Sequence, residues 1–102
     1  MVYRDLVVYS SSINIASVAS QTTVEQTFTV NGLVAATDVI LSVSKPTCSA
    51  GLAIGNARVS GDNTLALTLV NCSAGAVDPA AETYLIVAGR VGGSSIANGN
   101  RL

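Results

Sequence analysis

The sequence contains no histidine, no tryptophan and only two cysteines. Without histidine the chain lacks the side chain that most often serves as a general base and a common zinc ligand. Cys48 and Cys72 are far apart in sequence and have no second cysteine pair to complete a metal site. Phe28 is the single phenylalanine. We therefore expect no metal and no cofactor, and a core built from valine, leucine, isoleucine and alanine.

Charged residues are scarce as well. They make up 11% of the chain, against about 25% in a typical soluble domain. The net charge is −1 and Lys45 is the single lysine, so the sequence offers no basic stripe for a nucleic acid. Apolar residues make up 49% of the chain, and the mean hydropathy is +0.53. Either partners cover much of the exterior, or that exterior is rich in serine, threonine, asparagine and glycine.

Long apolar runs are missing too. No run approaches the roughly 18–20 residues that a membrane-spanning helix needs, and Asp5 interrupts the apolar start of the chain, unlike a secretory signal. We therefore expect an unprocessed cytosolic product with no membrane partner.

What the sequence does contain is alternation with a period of two residues. Leu65, Leu67 and Leu69 alternate with threonine and alanine, which is typical of a half-buried strand. The preceding segment, 52–60, changes phase at Gly55-Asn56, and this change predicts a bulge. Between these two strands the sequence Gly61-Asp62-Asn63 predicts a turn, and Asn31-Gly32 predicts another farther toward the N-terminus.

Further strands follow from the same pattern. A short strand is predicted over Ile13–Val18, one over Val24–Val30 in which Gln26 interrupts the apolar face, and one with Val39, Leu41 and Val43 on one face. The last strand, 83–91, is apolar on both faces and belongs in a sheet centre or under a subunit contact. Strands at this spacing predict one all-β domain, an antiparallel β-sandwich that is immunoglobulin-like or jelly-roll-like.

The two ends of the chain differ from the middle. Residues 1–12 predict either an edge strand of the domain or an arm that pairs with a neighbouring subunit. Residues 13–91 form the predicted β-sandwich. Residues 92–102, rich in glycine, serine and asparagine, predict a flexible C-terminal tail that is ordered, if at all, against a partner.

No constellation of residues predicts catalysis, so we expect the protein not to be an enzyme. The candidates are Cys48 or Cys72 beside Lys45, and carboxylates drawn from three positions. Those carboxylates are Asp62, Asp78 and Glu82, which lie where such residues usually stabilise turns. The cysteines are either two free, buried thiols or one disulfide, because the strands before them are predicted to finish at the same end of the domain.

Interface residues are sought at the ends of the chain and at two mid-strand arginines. Arg58 and Arg90 either face carboxylates across a subunit contact or point outward, with their stems covering apolar surface. The predicted interface set is Tyr3, Leu6, Val8, Tyr9, Arg58, Arg90, Ile96 and Arg101.

The run "VEQTFTVNGLVAATDVILSVSKPT", followed by "AGLAIGNARVSGDNTLALTLVN" and "ETYLIVAGR", resembles small β-sandwich virion proteins of tailed bacteriophages, capsid decoration (cement) proteins or related head and tail accessory modules. The similarity covers roughly Ile13 to Arg90. The extra segment "GRVGGSSIANGNRL" departs from the family, in which the chain often ends near the position of Arg90.

The resemblance implies a protein made in the host bacterial cytoplasm and carried on the virion. It implies that the protein binds the major capsid protein or other virion proteins and stabilises the assembled shell. It also implies a homo-oligomer, with a trimer suited to threefold positions. One alternative is a tail, fibre or head-spike module. Another is a bacterial carbohydrate-binding or adhesin-type module, for which the available aromatic residues are Tyr3, Tyr9, Phe28 and Tyr84.

Overall fold

The computed structural model describes residues 3–91, and these residues form strands, turns and loops without any helix. The strands in chain order are β1 (Tyr3–Ile13), β2 (Thr22–Thr29), β3 (Asp38–Ser44), β4 (Leu52–Gly61), β5 (Thr64–Asn71) and β6 (Glu82–Val91).

The six strands make two antiparallel sheets of three strands each. The first sheet has the order β1-β6-β3 and the second has the order β2-β5-β4. Every pairing within the sheets is antiparallel. The prediction of an all-β, antiparallel sandwich is confirmed.

The core lies between the sheets and is supplied mainly by the two central strands. Alternate residues of β5 point into it, as the leucine pattern predicted, and β6 contributes Tyr84, Ile86 and Ala88. Fully buried aliphatic residues from the loops complete it. The buried cluster consists of Ile13, Ile15, Val18, Val30, Leu33, Leu65, Leu67, Leu69, Tyr84, Ile86 and Ala88.

The predicted bulge in β4 is present. Its pairing with β5 shifts between Ile54 and Asn56, so Gly55 is the extra residue. A Cβ atom at Gly55 would lie 3.3 Å from a methyl group of Val70, a contact tight enough to favour glycine there. The bulge moves Ala57 and Val59 onto the face that packs against the core, as Ile54 does before it.

A second bulge corrects the prediction for β3. The sequence indicated one apolar face with Val39, Leu41 and Val43, but the pairing of β3 with β6 shifts between Ile40 and Ser42. As a result, Ile40 and Val43 pack against the core. Val39 and Leu41 are exposed instead.

The N-terminal segment is an edge strand of the first sheet. β1 pairs with β6 along its length, and Ile13 is its last residue. The separate strand predicted over Ile13–Val18 is therefore wrong. Residues 14–17 cross from one sheet to the other, and Val18 forms only an isolated bridge to Val77.

Gln26 explains how this crossing segment is held. Its side-chain amide donates to the carbonyl of Ala16 at 2.9 Å and accepts from the Ala16 N–H at 2.8 Å. The amide thus substitutes for the backbone of a neighbouring strand. Gln26, which interrupts the apolar face of β2, therefore holds the crossing segment against the second sheet.

Two turns that the sequence predicted lie against each other. In the turn at Asn31-Gly32, where Gly32 has φ +107°, the Gly32 N–H donates a hydrogen bond to the side-chain oxygen of Asn63 at 2.8 Å. Asn63 itself has φ 60° in the turn between β4 and β5. Asp62 in the same turn accepts from the Ala35 N–H at 3.0 Å.

Candidate interaction surface

The outer face of the first sheet carries a cluster of exposed aliphatic side chains. We use this name for the outward-facing side chains of β1, β6 and β3, which are Leu6, Val8, Ser10, Ser12, Thr83, Leu85, Val87, Gly89, Val39, Leu41, Ser42 and Ser44. Leu6 is 66% exposed, Val8 63% and Leu85 50%. Val39 and Leu41 are exposed beside them. Large aliphatic side chains gathered on one face are more than the scattered apolar residues of an ordinary surface.

The pairing of the strands makes this a continuous patch. Val8 lies opposite Val87, and Leu6 lies opposite Gly89, which has Val39 on its other side. Gly89 itself has no side chain and is buried. All the outer-face residues named above are uncharged.

Among the side chains that the structure describes, the charged ones of this sheet lie on its other face or at its end. Asp5 and Asp38 are both opposite Arg90 on the inner side of the sheet. Arg90 donates from Nε to one oxygen of Asp38 at 2.8 Å and from Nη2 to the other at 3.0 Å. The Asp38 side chain is 1% exposed. The hydrogen bond from Arg90, assisted by the N–H of Val34, holds the pKa of Asp38 below its usual value.

Arg58 forms the second ion pair, on the outer face of the second sheet. Its Nε and Nη2 donate to the two oxygens of Glu25, both at 2.8 Å. Arg58 and Glu25 lie on β4 and β2, so the pair crosses the central strand, where Ala66 is opposite Arg58 and fully buried. This hydrogen bond lowers the pKa of Glu25 and raises the pKa of Arg58. Both mid-strand arginines therefore have carboxylate partners within the chain.

Lys45 and Glu82 form the third ion pair, at 2.7 Å. Thr47 donates its hydroxyl to the same carboxylate at 2.9 Å. The Lys45 hydrogen bond lowers the pKa of Glu82, whereas a general acid at neutral pH needs a raised pKa. Of the other carboxylates considered for catalysis, Asp62 holds a turn and Asp78 is exposed in the loop between β5 and β6.

The two cysteines lie in loops at the same end of the sandwich. The Cys72 N–H donates to the Gly51 carbonyl at 2.9 Å, and Gly51 lies in the loop that contains Cys48. Both thiols are free in the structure, and both are exposed. The prediction of buried thiols is wrong, because the residues lie just outside β3 and β5. The structure contains no bond between them.

The structure places the predicted interface residues in different environments. Leu6 and Val8 are on the outer face of the first sheet, whereas Tyr9 packs inward against the core. Arg58 and Arg90 belong to ion pairs within the chain, as described above. Tyr3 lies in β1, but its side chain, together with Ile96 and Arg101, is outside the described part of the structure.

Sequence reasoning missed three members of the patch. Leu85 lies on β6, whose two apolar faces signalled a contact without identifying the residue. Val39 and Leu41 were assigned to the same face as Val43, and only the bulge separates them. Their exposure completes the patch on the third strand.

Other kinds of site are not found in the described residues. Within 3–91, no three histidine, cysteine, aspartate or glutamate side chains come close enough to hold a metal ion. No helix in that range is long and apolar enough to cross a membrane. A cleft of about 280 Å³ runs between β3 and β4. Its lining, Ile40, Leu41, Ser42, Val43, Ile54, Asn56 and Ala57, contains no nucleophile with a base beside it.

Comparison with protein-family models, with curated proteins and with solved structures finds no match to this chain.

Proposed function

We propose that this protein is a bacteriophage capsid decoration (cement) protein, which binds the assembled shell and stabilises it. The observation that carries the proposal is the apolar, uncharged outer face of the first sheet. That face suits burial against another protein, and the chemistry around it suits no reaction. The resemblance of "TFTVNGL", the β4–β5 segment and "TYLIVAGR" to phage virion proteins gives the partner its class.

The size of the face fits a protein that acts in many copies. Three strands about 4.8 Å apart and seven residues at about 3.4 Å each give a face on the order of 300 Å². A stable complex usually buries about 800 Å² on each partner. A contact of this size is weak by itself and becomes strong when many copies bind one lattice.

Stabilisation then follows from mass action. A protein that binds the assembled shell, and not the dissociated capsid subunits, shifts the equilibrium toward assembly. Such a role requires a folded scaffold with a face that binds the shell. The exposed aliphatic side chains of the outer face support this role, and the charges of Arg58, Arg90 and Lys45 are paired within the chain.

The positions of the aromatic residues argue against a carbohydrate-binding module. Such a module presents aromatic rings at its surface to stack on sugars. Tyr84 is fully buried, and Tyr9 and Phe28 pack against the core. Among the aromatic side chains that the structure describes, all three are therefore committed to the fold.

The first test is the copy number of this protein in purified virions of the phage whose genome carries its gene, measured by quantitative mass spectrometry. Decoration requires hundreds of copies per particle. Tens of copies would favour a tail, fibre or head-spike module instead, and absence from the particle would overturn any virion role.

The second test is binding to shells from which the protein has been removed. We expect Leu85→Lys and Val39→Lys to weaken binding at least tenfold, because each places a charge in the apolar contact. Thr27→Lys is the matched control, since Thr27 is exposed on the second sheet. Equal binding by all three variants and the unaltered protein would exclude the outer face as the contact.

A further inference from the structure

Within residues 3–91, the side of β1 away from β6 is an open strand edge. β1 pairs with β6 on one side only, and no other strand in the described part of the chain pairs with its second side. From Asp5 to Ile13 the pairing with β6 runs without a shift, so this stretch of β1 is regular and carries no bulge. Its outer edge presents a row of backbone N–H and C=O groups to any strand that approaches.

The other edge strands are protected in ways that β1 is not. β3 and β4 both contain bulges, and Pro46 follows the end of β3. β2 is regular, but its outward residues are polar, three threonines and Glu25. Bulges, prolines and polar or charged side chains are the usual means by which proteins prevent pairing at sheet edges. Along the regular part of β1, the outward side chains include Leu6 and Val8 instead.

We propose that β1 pairs antiparallel with β1 of a second copy of this chain, in the register that places Val7 opposite Val7. In that register Leu6 faces Val8 of the other copy, and Asp5 faces Tyr9. Leu6 and Val8 therefore meet apolar side chains, and the Asp5 carboxylates of the two copies are kept apart. The arrangement has twofold symmetry, so one patch satisfies itself on both subunits.

Charge favours a second copy over a different protein. A partner with a charged strand would bury that charge against Leu6, Val7 and Val8 without a counter-ion. The same strand from a second copy matches this edge in length and regularity, and matches the uncharged, apolar character of its central residues. No other surface of the described structure combines these properties.

The pairing would join two first sheets into one sheet of six strands. The outer faces of the two copies would then be continuous, which doubles the apolar surface on one side of the dimer. A strand edge of nine residues is about 30 Å long and one strand thick. The area that it buries is therefore well below the roughly 800 Å² per partner of a stable dimer. The dimer is therefore reversible. It does not depend on the proposed function.

The decisive measurement is hydrogen exchange at low and high protein concentration, alongside sedimentation. In a monomer, only alternate amides of β1 are bonded to β6, and the intervening amides exchange quickly. Dimerisation through this edge slows exchange at those intervening amides as concentration rises. A protein that stays monomeric up to about 1 mM, or dimerises without added protection in β1, overturns the proposal.

Variants give an independent test. In the proposed register Val7→Lys places two like charges opposite each other, so it is expected to raise the dissociation constant at least tenfold, whereas Thr27→Lys on β2 leaves it unchanged. Thermal melting establishes that each variant folds.

Cross-linking tests the register directly, in a background with Cys48→Ser and Cys72→Ser. A mixture of Leu6→Cys and Val8→Cys proteins should form a disulfide between copies at least ten times faster than Thr27→Cys does alone. Cross-linking no faster than this control overturns the proposal even if Val7→Lys fails to fold. Virion binding is not involved in any of these measurements, so their failure leaves the decoration proposal untouched.

Discussion

Arg90 and Asp38 face each other on adjacent strands, and the guanidinium donates two hydrogen bonds to the carboxylate, at 2.8 and 3.0 Å. The same guanidinium donates to the Gly32 carbonyl at 3.0 Å, and the Val34 N–H donates to Asp38 at 2.9 Å. One ion pair thus fastens β6 and β3 to the loop that follows β2. Because the Asp38 side chain is almost inaccessible to solvent, losing its partner would leave a poorly solvated charge.

We expect Asp38→Ala to lower the free energy of unfolding by about 2–3 kcal/mol, since it removes charge-assisted hydrogen bonds from a buried position. Urea denaturation measures the change. Glu25→Ala is the comparison, because it breaks a two-bond arginine pair that is exposed, with Arg58 54% and Glu25 35% accessible. Its effect should be clearly smaller, because solvent screens an exposed ion pair. Equal losses in the two variants would show that burial does not distinguish the pairs.

Stability should fall in acid and stay level near neutrality. Ion-pair hydrogen bonds lower the pKa values of Asp38, Glu25 and Glu82 in the folded protein. A lowered pKa contributes stability above the unfolded value, about 4, and this contribution is lost as pH falls through the folded value. Without histidine, no side chain with an ordinary pKa near 6.5 adds a second transition.

Urea midpoints between pH 2 and 8 test this expectation. The midpoint should be level from about pH 6 to 7.5 and should decline below about pH 5. In Asp38→Asn the decline should be shallower, because the titrating group is gone. A midpoint that rises as pH falls from 5 to 3 would contradict the assignment of these ion pairs.

Local signals in the sequence were enough for much of the fold. The alternation of Leu65, Leu67 and Leu69 indicates a strand with one buried face. The change of phase at Gly55 leaves β4 with a single apolar face only if the strand contains one extra residue, which is a bulge. Both features depend on neighbours along the chain. They were therefore predicted correctly, as was the turn at Asn31-Gly32.

Features that depend on distant partners were not predicted. Ile13, Ile15 and Val18 have a spacing that suggests a strand, but they are buried because the chain crosses between sheets there. In the sequence Gln26 only interrupts the apolar face of β2. Its partner, Ala16, is brought close to it by that crossing, so the local pattern does not indicate the contact. The sequence contains the residues of both features and no local sign of their pairing.

The candidate surface was also predicted only where local sequence was sufficient. Leu6 and Val8 were identified because they lie in an apolar terminal segment. Leu41 was missed because a bulge between two hydrogen-bonded strands decides which face it joins. Arg58 and Arg90 were predicted either to face carboxylates across a subunit contact or to point outward. Their carboxylate partners lie within the chain instead, which only the tertiary structure decides.

A buried amide should matter as much as a buried ion pair. Asn71 is 1% exposed. Its side chain donates to the carbonyls of Val18 and Gly75 at 2.9 Å, and its oxygen accepts from the Ser73 N–H and hydroxyl at 2.9 and 2.6 Å. We expect Asn71→Ala to cost about 2–3 kcal/mol in urea denaturation. Asn56→Ala, at an exposed position of β4, should change the free energy by less than about 0.5 kcal/mol, and a similar loss there would contradict this account.

Leucines on the two faces of the sandwich should respond differently to truncation. Leu67 is fully buried, so Leu67→Ala should lose about 3–5 kcal/mol through lost burial and a cavity. Leu85 is half exposed on the outer face, and Leu85→Ser should cost less than about 1 kcal/mol. The same Leu85 variant should reduce the binding of a hydrophobic dye to the folded protein. A large loss of stability in Leu85→Ser would mean that the face is structural, which would weaken its assignment as a contact surface.

The thiols provide a test of the loops at the end of the sandwich. Cys48 and Cys72 are free and exposed, so both should react with a thiol reagent in native buffer, and urea should add no further equivalents. A buried thiol would react only after unfolding.

If neither reacted before reduction and both did afterwards, the loops would be joined by a disulfide instead. Closing a loop of about 24 residues would then contribute about 3 kcal/mol, and a reductant would lower the urea midpoint. With free thiols, the midpoint should be the same with and without reductant.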